Sequence, residues 1–243
     1  MAKTQMEQNN RDFYREYYND PNIRVWREIG ACDKAKNVID LWTKCVGGRP
    51  SLVDIGCGDG ALVGELDSLN FAKFYTGMEI SESGLANAGK RKYKAQCNFV
   101  LFDGCSIPAG DKSFDLAVFS HVLEHVECPR HLLDEAARIA KYVFVEVPLE
   151  LNYRTPHNFK KTSVGHINLY NPLLLRHLVE SSGLRVIAEQ LTCPSLQTFT
   201  YKRAFWKGWL HWAIKTTLLR LSVRVASASF TYQGCLLAES QLG

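Results

Sequence analysis

The sequence predicts an α/β protein built on a doubly wound, mostly parallel sheet with helices on both faces. Three observations carry that prediction. Ser51–Gly64 is an apolar run broken by three closely spaced glycines before helical character resumes, which reads as strand, tight turn and helix. Apolar strand-like segments then recur at 74–79, 98–102, 114–119 and 142–147, separated by helix-like stretches. Acidic residues, Glu79 and Asp103, stand at the ends of two of these strands, where such sheets bind ligands.

In the first unit Leu52, Val53 and Ile55 suit a buried parallel strand, and Leu62, Leu66 and Leu69 fall on one face of the following helix. Gly56, Gly58 and Gly60 permit a sharp turn and close backbone approach to a ligand, and the helix N-terminus favours its polar part. Gly56-x-Gly58-x-x-Ala61 also fits a dinucleotide fingerprint, so the flanking residues decide. Asp54 and Asp59 would repel a pyrophosphate and favour a ligand carrying an ammonium and a sulfonium; S-adenosylmethionine is such a ligand. Glu79 is placed to hold a ribose diol and Asp103 to accept from an adenine amino group.

Ahead of this unit, residues 1–10 are expected to be disordered. Phe13, Tyr14, Tyr17 and Tyr18 follow, interleaved with charges at helical spacing. Asp33 reads as the cap of a helix from Lys34 to Cys45, ended by Gly47-Gly48-Arg49-Pro50. Ser81 caps a helix running towards Lys94, with Lys90, Arg91, Lys92 and Lys94 at a solvated C-terminus. A helix from Pro129 to Ala140 precedes the fifth strand. The loop 149–171 carries Tyr153, Arg154, His157, Asn158, Lys160, Lys161, His166 and Tyr170, all able to touch a substrate. A helix from Pro172 to Ser182 and strands at 184–191 and 230–238 complete the pattern. Tyr201–Ala226 reads as a helix with Trp206, Trp209 and Trp212 at intervals of three and Arg203, Lys207, His211 and Lys215 at intervals of four. It is either a packed insertion or dimer contact, or a basic helix lying on a membrane surface.

At 243 residues the chain fits one domain with an attached cap. The expected division is an N-terminal helical lid over 1–48, a cofactor-binding half over 49–148, and a substrate loop, helical insertion and C-terminal hairpin over 149–243. A net charge of +4 implies no general polyanion-binding surface. The eight cysteines include no C-x-x-C pair, and they read as reduced thiols of a cytoplasmic protein. The polar start lacks the apolar core of a signal peptide, and no apolar run is long enough to cross a bilayer.

Four motifs in order, Val53-Asp-Ile-Gly-Cys-Gly-Asp-Gly60, Gly77-Met-Glu-Ile-Ser81, Asp103 with Ile107-Pro108, and Ser113–Val126, resemble the class I S-adenosylmethionine-dependent methyltransferases, in particular the type 11 and ubiquinone-type small-molecule enzymes. The resemblance runs from about Arg49 to Leu191. It implies a Rossmann-like seven-stranded sheet whose last strand is antiparallel, and a lid in which Tyr14 and Tyr17 line the pocket. S-adenosylmethionine would be the cofactor and S-adenosylhomocysteine the product. The residues holding them would be Asp54, Gly56, Cys57, Gly58, Gly60, Glu79, Ile80, Asp103, Gly104 and Ser120.

Methyl transfer from a sulfonium is an in-line displacement, so the protein supplies alignment, a dry pocket and, for a hydroxyl acceptor, a base. Ser120-His-Val-Leu-Glu-His125 puts His121, Glu124 and His125 on one face of a turn beyond the fourth strand. The candidate catalytic residues are His125 first, His166 as its partner from the loop, and His121. The spacing matches the inverzincin pattern, but the motif follows a strand of a cofactor-binding sheet, which argues against a protease. The segment also resembles the E-x-x-E-H metal site of some ubiquinone-type and small-RNA methyltransferases, with His121 replacing the first glutamate. No metal ligand is assigned; base, metal and structural roles stay open. The lack of Asn/Asp-Pro-Pro-Tyr and of a Pro-Cys nucleophile places nucleic acid behind a small-molecule acceptor, and the resemblance favours a hydroxyl on a small, sugar or lipid-linked molecule. The rivals are a nicotinamide-dependent oxidoreductase and a cofactor-binding interaction protein without turnover.

Overall fold

The computed structural model describes residues 17, 18, 20–159 and 165–242. Residues 1–10, Phe13, Tyr14, Lys160 and Lys161, expected in the terminus, the lid and the substrate loop, lie outside the described residues. Seven strands form one sheet: β1 (Ser51–Ile55), β2 (Phe74–Glu79), β3 (Gln96–Leu101), β4 (Phe114–Ser120), β5 (Ala140–Pro148), β6 (Leu184–Thr192) and β7 (Gln233–Ser240). Their spatial order is β3-β2-β1-β4-β5-β7-β6. The first five are parallel, while β7 runs antiparallel between β5 and β6. The expected seven-stranded sheet with an antiparallel last strand is thus observed.

Alternation within each central strand explains why both faces must be covered. Leu52, Leu116, Val118 and Phe144 face one core with Leu62 and Leu66 of α2 (Ala61–Ser68) and Leu41 and Trp42 of α1 (Pro21–Cys45). Their neighbours Val53, Ala117, Phe119, Val143 and Val145 face the other, with Leu132, Leu133 and Ala136 of α4 (Pro129–Ile139) and Leu175 and Val179 of α5 (Pro172–Glu180). Such strands have no polar side and read as nearly continuous apolar runs. The register pairs Ile55 with Met78, Glu79 with Leu101 and Ser120 with Glu146, bringing the carboxyl ends of the parallel strands to one edge.

Three helix assignments change. Asp33 is no cap, because α1 begins at Pro21. Its Oδ2 instead accepts from the Ser195 amide and the Thr198 hydroxyl, both 2.9 Å away, tying α1 to the short α6 (Leu196–Thr200), which the sequence did not suggest. The helix capped by Ser81, α3 (Glu82–Ala88), stops before Gly89, so Lys90, Arg91, Lys92 and Lys94 lie beyond it. Ser81 Oγ does accept from the Gly84 amide, as a cap should. The insertion is two helices, α7 (Phe205–Leu221) and α8 (Val223–Ser229), broken where Ser222 turns extended and caps the second through Val225 N.

The packing makes opposite predictions for two apolar residues. Phe119→Ala removes a fully buried ring and should cost about 3–5 kcal/mol. Leu221→Ala, on the outer face of α7, should shift stability by less than about 0.5 kcal/mol. Denaturant titration of both variants measures the difference, and an equal loss would mean that the outer face of α7 is packed.

Candidate active site

The glycine loop follows β1 with Gly56, Gly58 and Gly60 all at positive φ, 78°, 56° and 73°, a conformation other residues adopt only with strain. The amides of Gly56 and Cys57 both donate to Met78 O at the end of β2. Gly58 N donates to Glu79 Oε2 at 2.9 Å, and Glu79 Oε1 accepts from Ile80 N and Ser81 N at 2.9 and 3.0 Å. Burial pushes the Glu79 carboxyl up, and these amides together with the Tyr18 hydroxyl pull it back. Tyr18 lies against the loop so closely that a Cβ on Gly58 would sit 2.8 Å from its hydroxyl oxygen. Sequence reading gave the pocket Tyr14 and Tyr17; Tyr17 packs its ring on the Arg27 guanidinium and edge-on to Tyr18.

Asp54 and Asp59, treated as a pair by sequence, part company. Asp54 is buried, and desolvation drives its carboxyl up to about 7. Asp59 is held by two guanidiniums, Arg27 at 2.9 and 3.1 Å and Arg91 at 3.2 Å, so its charge is already compensated and does not select the ligand. This corrects the reading of Arg91 as a solvated helix end. Cys57 turns its buried sulfur towards β2, where a Cβ on Gly77 would meet it at 2.7 Å, and burial raises its thiol. Past the end of β3 Asp103 is exposed; Oδ1 accepts from Cys105 N and Ser106 N at 2.7 Å, which lowers its pKa. Gly104, at φ 85°, abuts Ile80, a Cβ there lying 3.3 Å from Ile80 Cγ2.

Beyond β4, Ser120 Oγ donates to Glu146 Oε2 at 3.0 Å, and Asn37 of α1 donates to the other oxygen at the same distance. Buried Glu146 was not singled out in the sequence. His121 has φ 60°, rare outside glycine, and its amide bonds Glu146 O. Its Nδ1 lies 3.1 Å from Glu124 Oε1. Glu124 is fully buried, and the His121 contact lacks the alignment of a directed hydrogen bond, so neither carboxylate oxygen has a hydrogen-bond partner among the described residues. Burial favours the protonated acid, but His121 and His125 outweigh it and hold the Glu124 pKa down.

The fold brings His125 and His166 together as expected, their rings edge-to-face with centroids 4.8 Å apart. His125 Nδ1 lies 3.3 Å from Gly165 O, and burial lowers its pKa, favouring the neutral ring. His166 is bonded through Nδ1 to Glu150 Oε2 at 2.6 Å. Burial alone would lower His166, but that carboxylate raises it. Glu150, unnoticed in sequence, also lines a cleft of about 340 Å³ with Arg154, Phe159, His211, Lys215 and Phe230. Glu124, His125 and His166 each offer a ligand atom within 4.8 Å of the others, a spacing able to hold a metal ion.

Residues 53–142 match the family described as Methyltransferase domain. An uncharacterized methyltransferase of Mycobacterium ulcerans is 31% identical over 128 residues, 51% of this chain and 49% of that protein. An O-methyltransferase of Penicillium expansum is 26% identical over 181 residues, 68% and 65% of the two chains. The chain thus spans about half to two thirds of these relatives' lengths. Among solved structures, a chain of the complex between the Haloferax volcanii Trm112 methyltransferase activator and a methyltransferase shares the fold, with TM-score 0.64, 16% identity, and coverage of 93% of this chain and 97% of that one. The matched stretch contains the glycine loop, Glu79, Asp103 and the β4 histidines, which sets aside the dinucleotide reading. Residues 53–142 are thus similar to the Methyltransferase domain family, on a sheet that shares the fold of solved methyltransferases.

Proposed function

We propose that this chain moves the methyl group of S-adenosylmethionine to a hydroxyl of a small, sugar or lipid-linked acceptor. The observation that carries the reading is the Glu150–His166 pair, edge-to-face with His125 beside the carboxyl end of the sheet and sharing Glu150 with the cleft. The residues around the glycine loop fit such a cofactor. Glu79 already accepts a hydroxyl, from Tyr18, as it would from a ribose. Asp54 offers a buried carboxylate to a cationic group, and Ile80 with Gly104 forms a wall for adenine beside Asp103. Bound there, S-adenosylmethionine supplies an electrophilic sulfonium methyl.

His166 is the base. With Nδ1–H donated to Glu150, Nε2 carries the lone pair that takes the acceptor's proton, and the Glu150 carboxylate stabilises the imidazolium that results. The acceptor oxygen forms its bond to carbon as the sulfur–carbon bond breaks and the electron pair stays on sulfur. His125, held neutral by burial, adds no positive charge beside the cation to be attacked. Arg154 and Lys215 line the cleft with cationic groups, which favours an acceptor bearing a carboxylate or phosphate.

His166→Gln should lower kcat about 10²- to 10⁴-fold while leaving S-adenosylhomocysteine affinity within about twofold. A base must be neutral, so the wild-type rate should rise with pH through the elevated His166 pKa. Glu150→Gln removes the cause of that elevation and should move the acidic limb to lower pH. Unchanged turnover in His166→Gln would end the base assignment. The buried carboxylate of Glu124, which has no aligned hydrogen bond among the described residues, favours a second reading, in which Glu124, His125 and His166 hold a divalent ion that lowers the acceptor's pKa. Chelation followed by metal restoration separates the two, since only the second loses and regains activity.

Asp54 gives a further prediction. Protonated, it offers no charge to a cationic cofactor, so S-adenosylmethionine affinity should fall about tenfold as pH drops from about 7 to about 5.5, and Asp54→Asn should flatten that profile at the weaker affinity. Calorimetric titration reads both; a flat wild-type profile would remove Asp54 from the cofactor site.

A further inference from the structure

Helix α7 presents two unlike faces. Inward, Gly208 packs against Phe199 and Thr200 so tightly that a Cβ would sit 2.7 Å from Phe199 O, and buried Lys215 is bonded to Thr231 O between the Phe199 and Tyr232 rings. These contacts fix the helix to the body. Outward, the helical repeat places Phe205, Trp206, Trp209, Leu210, Ile214 and Leu221 within one half of the circumference. Trp206 is 63% exposed, Trp209 49% and Leu221 77%. A shallow apolar groove runs along the same side, lined by Ala213, Ile214, Thr217, Leu218 and Leu221. Trp212, which sequence spacing grouped with the other two tryptophans, is half-buried.

Charge narrows what can cover this face. Between Glu189 and Glu239 the chain contains no Asp or Glu, yet it contains Lys202, Arg203, Lys207, Lys215, Arg220 and Arg224. All of these cations except Lys215 are exposed. Six positive charges in a chain of net +4 leave the remainder at −2 (4 − 6), so the whole excess sits here. Across a two-fold axis, a second copy of this face would oppose cations to cations with no acid in the segment to answer them. An anionic lipid surface answers both features: the indoles and aliphatic side chains enter the headgroup boundary, while Lys and Arg meet lipid phosphates. No helix among the described residues is long and apolar enough to span a bilayer, so the contact lies in the plane.

We propose that the outer face of α7 with the start of α8 docks the protein on anionic membranes. The inference stands independently of the methyl acceptor. The test is sedimentation of the full chain with phosphatidylcholine vesicles, with or without about a third phosphatidylserine. Binding should be at least about tenfold stronger to the anionic vesicles and should weaken with salt. The double variant Trp206→Ala/Trp209→Ala should lose about tenfold or more in partitioning, and Lys202→Glu/Lys207→Glu should lose at least as much while unfolding at the same denaturant concentration as the parent. Light scattering on the same samples reports oligomeric state. Equal binding to both vesicle types, no binding to either, or a dimer dissociated by the tryptophan variant would each overturn the proposal.

Discussion

The constraint on which the cofactor half of the molecule depends is the buried carboxylate of Glu79. Burying an ionised carboxylate is costly unless donors replace its water, and here three backbone amides do so, one from the glycine loop and two from the turn after β2. The same bonds that compensate the charge therefore fix two loops relative to each other. Gly58 donates its amide from within the positive-φ turn, and Gly60, again at positive φ, is the N-cap of α2. Tyr18 adds a hydroxyl to the same acid from outside the sheet, so in the proposed reaction a ribose hydroxyl would exchange for a tyrosine hydroxyl on an acceptor that never needs rehydrating.

Beyond β4 the electrostatics are distributed rather than concentrated. His121 lies between Glu124 and Glu146, and His166 is bonded to Glu150. Three carboxylates against three histidines keep the cluster from carrying a fixed net positive charge, which would matter beside the sulfonium of the proposed reaction. The two central rings are tuned in opposite directions by neighbours of opposite kind, His125 down through burial and His166 up through Glu150. In the proposed reaction that divergence suits His166 to carry the proton rather than His125, which the sequence reading placed first.

What sequence revealed and what it did not divide along a physical line. The β1 turn, Glu79 at the end of β2 and Asp103 just past β3 were legible because local backbone chemistry, strand periodicity and motif spacing write them directly into consecutive residues. The compensation of Asp59 by Arg27 and Arg91, the bond from Asn37 to Glu146 and the Glu150–His166 pair were not, since each joins residues brought together only by the finished sheet. Glu150 did leave a faint signal, a carboxylate two residues past the proline that closes β5. The first half of α1 was missed for a related reason: its helix depends on tertiary anchors such as Arg27 on Asp59 rather than on an apolar stripe.

Helix α7 joins the two ends of the functional reading. His211 and Lys215, one turn apart on its inner side, line the cleft that reaches Glu150, while Trp206 and Trp209 stand on the opposite side. A helix seated by its outer face in a headgroup layer would hold its inner face, and the cleft below it, at the depth where polar headgroups or lipid-linked sugars lie. The cationic lining of the cleft and the cationic flank of the helix then address the same anionic chemistry from two sides. In that proposed arrangement the acceptor need not leave the membrane, and a cofactor held at the carboxyl ends of β1 to β3 would lie on the other half of the sheet, away from the docked face.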